Sequence, residues 1–151
     1  MSEPAYRLRP YAAADEDAAI DLWRRSWQAA MPHIDFAARV DWWRKRWRDE
    51  LVPQATVMVA EAGSALAGYV TVDPKSGYLD QIVVAPELWG GGLAATLLVE
   101  AKRISPSRLD LLVNKDNARA IRFYEKHGFR YAGDDVNPVS GRPVNKMAWR
   151  P

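Results

Sequence analysis

Residues 79–94 read Leu79-Asp80-Gln81-Ile82-Val83-Val84-Ala85-Pro86-Glu87-Leu88-Trp89-Gly90-Gly91-Gly92-Leu93-Ala94. A mostly apolar strand runs to Val84, passes a proline and three successive glycines, and enters a helix. Ala94, Leu97, Leu98, Ala101 and Ile104 stripe that helix until Pro106 stops it. Glycines let the backbone come close to a ligand, and the helix they open presents unpaired N–H groups at the positive end of its dipole. Anionic phosphate is the natural guest of such a turn.

Spacing separates the kinds of phosphate loop. A P-loop closes on Gly-Lys-Ser/Thr, whereas Gly92 is followed by Leu93 and Ala94, so that reading fails. A dinucleotide fingerprint fits better by count: Gly90, Gly92 and Ala95 satisfy G-x-G-x-x-G/A, and Asp110 lies about 20 residues on. Its context is wrong. Ala85 to Trp89 stand between the strand end and the glycines, and Asp110 opens the next apolar run instead of closing it.

A third pattern is carried by two segments. Val84-x-Pro86 followed by Trp89-x-x-Gly92-x-Ala94 resembles the acyl-CoA-binding signature Q/R-x-x-G-x-G/A of the GCN5-related N-acetyltransferases, the GNAT family. Downstream, Leu111-Leu112-Val113-Asn114-Lys115-Asp116-Asn117-Ala118-Arg119-Ala120-Ile121-Arg122-Phe123-Tyr124-Glu125-Lys126-His127-Gly128-Phe129 resembles the family's other cofactor segment: strand, Asn, helix, Tyr and Gly-Phe. The match runs from Tyr69 to Ala132, and the first third of the chain resembles the family in layout alone. The resemblance implies one α/β domain over residues 1–151 with a GNAT-like fold. Its central sheet is expected to be twisted, mixed but mostly antiparallel, of about six to seven strands flanked by about four helices.

The resemblance also implies a chemistry: direct attack of an amine on the thioester of acetyl-CoA while both are bound, with no nucleophilic side chain and no metal. Trp89, Gly90, Gly91, Gly92, Leu93 and Ala94 would hold the pyrophosphate, chiefly through backbone N–H groups. The strand backbone at Ile82, Val83 and Val84 would pair with the pantetheine arm, and the Val84 N–H would stabilise the oxyanion. Asn117 would bond the pantetheine or pyrophosphate region. Tyr124, two helical turns further on and so on nearly the same face, would protonate the departing thiolate. Each has a plainer alternative. Asn117 fits a helix N-cap, and Tyr124 beside Phe123 fits ordinary core.

Departures from the family pattern matter. Trp89 takes the usual Gln or Arg position and Gly91 one that is often basic, so two polar side chains near the phosphates are missing. Lys115, Arg119 and Arg122 could supply charge instead, although solvation is the default for each. Leu112 lies where some peptide-acetylating relatives carry a glutamate. The expected acceptor is therefore a small-molecule amine, with a protein N-terminus or lysine second and a non-catalytic acyl-CoA-binding or sensing module as the rival class. Among general-base candidates, Asp80 is placed by strand alternation on the face of Ile82, and His33 follows the Met31-Pro32 break. The loop from Asp134 to Pro143, acidic at its start, is read as facing a cationic acceptor. Several relatives pair as dimers, and nothing in this sequence fixes an oligomeric state.

Composition agrees with this reading. A length of 151 residues suffices for one core, and no apolar run approaches bilayer length. The N-terminus lacks the basic-then-apolar pattern of a signal peptide, and the absence of cysteine excludes disulfides and fits a cytoplasmic location. Lys and Arg number 21 against 19 Asp and Glu, a net charge of +2 that gives no footprint for nucleic acid. The tryptophans at 43 and 47 belong, with Phe36 and Val40, to a helical apolar stripe, and the neighbouring Arg39, Arg44, Lys45, Arg46 and Arg48 read as its solvated face. Earlier, strand 6–9 ends at Pro10, and a helix opens at Asp15-Glu16-Asp17 with Ile20, Trp23 and Trp27 on one face. Strands at 56–61 and 66–72 flank a turn at Ala62-Gly63-Ser64; strand 78–84 follows the turn at 74–77. The remaining strands fall at 109–113, 129–132 and 144–149, with a helix over 118–127 ended by Gly128.

Overall fold

The structure, a computed structural model, describes residues 6–138 and 140–151. The start of the N-terminal segment read for a leader, and residue 139 of the 134–143 loop, lie outside the described residues. In chain order the elements are β1 (Arg7–Pro10), α1 (Glu16–Ala30), α2 (Val40–Arg46), β2 (Thr56–Ala62), β3 (Ala65–Val72), β4 (Leu79–Val84), α3 (Leu93–Ile104), β5 (Leu109–Asn114), α4 (Ala118–Lys126), β6 (Arg130–Val136) and β7 (Pro143–Trp149). Helix α2 runs on through a wide π-type turn, Trp47–Leu51, into a last turn, Val52–Gln54.

The expected α/β architecture is present, and its seven-stranded sheet is opened along one seam. Strands β1-β2-β3-β4 form one antiparallel sheet and β5-β7-β6 another. They meet through a single parallel bridge, Tyr78 to Asp110, where the Asp110 N–H donates to the Gly77 carbonyl at 2.9 Å. Beyond that point β4 and β5 each keep an edge that no strand among the described residues covers.

Strand alternation divides the core into two layers. Val70 and Val72 of β3 face α3, packing with its Leu93, Leu97, Leu98 and Ala101 and with Leu109 and Leu111 of β5. Tyr69 faces the other way, with Val57, Val59 and Val83, against Ile20 and Trp23 of α1 and Phe36, Trp43 and Trp47 at the second helix. Trp23 stacks on Trp43 with ring centroids 4.7 Å apart, and Trp47 meets Tyr69 edge-on at 5.1 Å. Burying an indole of this size contributes about 4–6 kcal/mol before conformational entropy is subtracted. That burial explains the tryptophan stripe without recourse to a nucleic-acid surface.

The basic run beside it is not a free solvated face. Arg44 pairs with Glu16 and Asp17, Arg48 with Glu16, Lys45 with Asp49, and Arg46 with Glu50 and Asp80. Acidic residues at the start of α1 thus receive the cations of α2, which a helical projection of either segment alone does not show. Among the described residues no helix is long and apolar enough to cross a membrane.

Candidate active site in the cleft between the sheets

The cleft is bounded by the free edges of β4 and β5. The Ala85 N–H donates to the Ala67 carbonyl at 2.8 Å, and Val83 and Gln81 are the β4 residues next in that phase. Antiparallel alternation therefore turns the N–H and C=O of Ile82 and Val84 away from β3 and into the cleft. Their side chains do not line it: Val84 is buried, Ile82 packs against the same cluster, and Val83 belongs to the opposite layer. What β4 presents to a ligand is backbone.

At the end of β4 a short 3-10 turn, Pro86–Leu88, leads to the glycines. Gly90 and Gly92 have φ of +83° and +90°, a region that favours glycine. A Cβ built at either meets nothing within 4 Å, so this stretch of chain faces open space. Gly92 caps α3 without a side-chain bond, and the ladder begins only with the Thr96 N–H on the Gly92 carbonyl at 3.1 Å. The N–H groups of Leu93, Ala94 and Ala95 are thus left for an external acceptor. Leu93 itself is 1% exposed, so only its backbone is available. Glycines in open space beside unsatisfied N–H groups fit a phosphate-bearing cofactor.

Trp89 bridges the mouth of the cleft. Its indole N–H donates to the Val84 carbonyl at 2.9 Å, covering one of the free edge groups, and the Arg119 guanidinium of α4 lies 4.9 Å from its ring centroid. Of the other cations proposed near the phosphates, Lys115 is held by Asp134 and by the Asn145 side-chain oxygen at 2.7 Å, and Arg122 is exposed.

Asn117 is the N-cap of α4: its backbone is non-helical, and its Oδ1 accepts from the Ala120 N–H at 3.2 Å. The two-turn alignment with Tyr124 assumed that both residues were helical, so their shared face does not follow from spacing. Tyr124 packs edge-on to Phe123 and against Phe129, each at 5.3 Å between centroids. Its side chain keeps some exposure, but enough protein surrounds the hydroxyl that burial pushes its pKa up to about 12. Among the described residues no group hydrogen-bonds that hydroxyl, which therefore remains a protonated, unengaged donor at neutral pH.

On the α1–α2 side of β4 the structure corrects the strand alternation. The register shifts opposite Thr71 and Val72, and the Gln81 N–H donates to Thr71 Oγ1 at 3.1 Å. This bulge sends Asp80 and Gln81 to the same side, away from Ile82. Asp80 takes both guanidinium nitrogens of Arg46, at 3.1 and 2.5 Å, and the Gln81 side-chain amide at 3.0 Å. Gln81 in turn accepts from the Trp27 indole at 3.4 Å. Both oxygens of Asp80 are thus occupied by the Arg46 cation, which ties β4 to α2. His33 is exposed in the segment after α1.

Across the cleft, the Asn114 amide at the end of β5 touches Met31 Sδ at 3.9 Å. Tyr78, at the closed end, has its pKa pushed up to about 12 by burial first and the Asp80 carboxylate second. Asp134 and Asp135 belong to β6 and face Lys115 and Lys146, so the expected acidic loop is neutralised by its neighbours. Sequence reasoning missed Arg46 and the bulge. The signal available was two adjacent polar residues, Asp80 and Gln81, inside an otherwise apolar strand.

Comparison with known proteins follows the same geometry. A family model described as "Acetyltransferase (GNAT) family" matches residues 16–129. Mycothiol acetyltransferase of Kineococcus radiotolerans is 38% identical over 92 residues, 58% of this chain and 30% of that protein. The chain thus spans less than a third of that relative's length. Peptidyl-lysine N-acetyltransferase YjaB of Salmonella typhimurium is 26% identical over 125 residues, 82% of this chain and 83% of the relative. The PaiA N-acetyltransferase of Thermoplasma acidophilum, solved in complex with coenzyme A, superposes with a TM-score of 0.77 at 20% identity, covering 97% of this chain and 99% of the other.

Proposed function

This chain belongs to the acetyltransferase (GNAT) family, and from that premise we propose that it moves an acetyl group from acetyl-CoA to the primary amine of a small molecule, by direct attack with both substrates bound. The observation that carries the reading is the free backbone edge of β4 running into an uncapped, glycine-opened helix. Acetyl-CoA supplies the activated thioester. In this reading residues 1–151 form one acetyltransferase domain.

Each group has one task. Of the turn from Gly90 to Ala94, the N–H groups not already bonded bind the pyrophosphate, the Gly91 N–H being held by the Leu88 carbonyl at 3.2 Å. With the Val84 carbonyl held by Trp89, the pantetheine arm is left the Ile82 N–H and C=O and the Val84 N–H, of which the last faces the developing oxyanion. Asn117 fixes the start of α4 through its Oδ1, and its amide nitrogen is left to bond the arm. As the amine lone pair forms the new C–N bond and the C–S bond breaks, the Tyr124 hydroxyl gives its proton to the sulfur, the amine proton leaves to water, and water returns a proton to the Tyr124 phenolate. Burial that pushes its pKa up to about 12 keeps Tyr124 protonated at neutral pH, so it meets the sulfur as a hydrogen-bond donor.

A protein lysine is the second reading, favoured by a relative whose name specifies peptidyl-lysine and which aligns over most of both chains. The name of the other relative specifies mycothiol. Thiol release from acetyl-CoA, measured with small amines and with lysine peptides in parallel, separates the two. Turnover with small amines alone supports the first reading, and turnover with peptides alone replaces it with the second. Binding of acetyl-CoA without transfer to any amine leaves a sensing module.

A further inference from the structure

The family's Gln or Arg at position 89 is here a tryptophan, and an arginine from α4 lies on its ring. We propose that Arg119, held on the face of the Trp89 indole, is the cation that meets the cofactor's pyrophosphate at the glycine turn. The inference rests on the acetyl-CoA reading above. Trp89 directly precedes Gly90, and its ring is fixed by the bond from its N–H to the Val84 carbonyl. Arg119 comes from the first turn of α4, on the opposite side of the cleft, and reaches that ring at 4.9 Å. The contact therefore places a guanidinium beside the glycine turn that opens onto the free N–H groups of Leu93, Ala94 and Ala95.

The chemistry of the stack suits this role. A guanidinium lying on an aromatic face is held by the ring quadrupole while its N–H edge remains free to donate in a fork to two phosphate oxygens. Two neighbouring cations are spent elsewhere, Lys115 on Asp134 and Asn145 and Arg142 on Asp116 at 2.6 Å, whereas Arg122 is exposed. Among the described residues no carboxylate pairs with Arg119. Trp89 is then a positioning residue, acting through the arginine it carries.

The test is calorimetric binding of CoA, dephospho-CoA and pantetheine to the whole chain and its Arg119→Gln, Trp89→Leu and Arg122→Gln variants. Arg119→Gln is expected to weaken CoA and dephospho-CoA equally, by about tenfold, and to leave pantetheine unchanged, since a lost charge-assisted bond of ordinary strength corresponds to roughly that factor. Trp89→Leu should follow it and Arg122→Gln should not. Unaltered CoA binding by Arg119→Gln, a loss confined to CoA and so to its 3′-phosphate, or an equal loss in Arg122→Gln would each overturn the assignment. A wild-type chain that binds no CoA would instead sink the acetyl-CoA reading itself, a distinguishable result.

Discussion

Replacing Asp80 by Asn isolates what the β4 bulge does. The carboxylate is 9% exposed and accepts from both terminal nitrogens of Arg46, itself 26% exposed, and from Gln81. At an effective dielectric near 20, two charges about 4 Å apart attract by about 4 kcal/mol. Against this stands the desolvation of both ions, and removing one partner of a fully buried pair costs about 3–5 kcal/mol. Arg46 keeps Glu50 at 3.3 Å and some contact with water, so the expected loss is smaller, about 2–3 kcal/mol. For a chain of this size that lowers the melting temperature by roughly 4–12 °C. Urea unfolding at neutral pH measures the loss, and an Arg46→Met partner completes a double-mutant cycle in which the two losses should not add. Turnover per folded molecule should fall by less than about tenfold, because the carboxylate's two oxygens are held by Arg46. A stability change under about 0.5 kcal/mol, or a turnover loss beyond about a hundredfold in folded protein, would refute the structural role given to Asp80.

Other consequences follow from the same geometry. Tyr124→Phe should lower turnover by about 10²–10⁴-fold while leaving CoA affinity unchanged by calorimetry, since it removes only a proton donor with no partner among the described residues. Tyr78 and Tyr124 have folded pKa values pushed up from 10 to about 12. The stability each contributes is fully present below pH 10 and lost as pH rises through about 12. Alkaline unfolding over that window should be blunted, by on the order of 2 kcal/mol per site, in Tyr78→Phe and Tyr124→Phe, and identical curves would refute the shifts. Gly92→Ala forces an L side chain to φ +90° in open space, so a loss of about 1–2 kcal/mol by strain alone is expected in urea unfolding, with weakened CoA binding.

The sequence was legible where a local pattern has one structural meaning. Proline at 32, the acidic start of α1 and the stripe through Trp43 and Trp47 each fix an element without reference to the rest of the chain, and α1 indeed spans Glu16–Ala30. The glycine turn was legible for the same reason, positive φ being a residue-level requirement. Which strands pair is a different kind of information. Apolar runs at β4 and β5 look alike whether they are neighbours throughout or bridge once at Tyr78, so the seam that makes the cleft left no mark in composition. Alternation failed at Asp80 because a single inserted residue resets the phase for everything on one side of it. The pairing of Arg46 with Asp80 crosses 34 positions, and Trp89 with Arg119 joins two segments that the motifs treat separately; neither is a property of a window.

Thiol release from acetyl-CoA by the purified chain, against amino acids, polyamines, aminoglycosides and peptides with free N-termini or lysines, tests the central claim most directly. Tyr124→Phe serves as the control. The account predicts release with small amines, lost in the control although CoA still binds. Failure of the wild-type chain to bind acetyl-CoA, or release that Tyr124→Phe leaves unchanged, would contradict it.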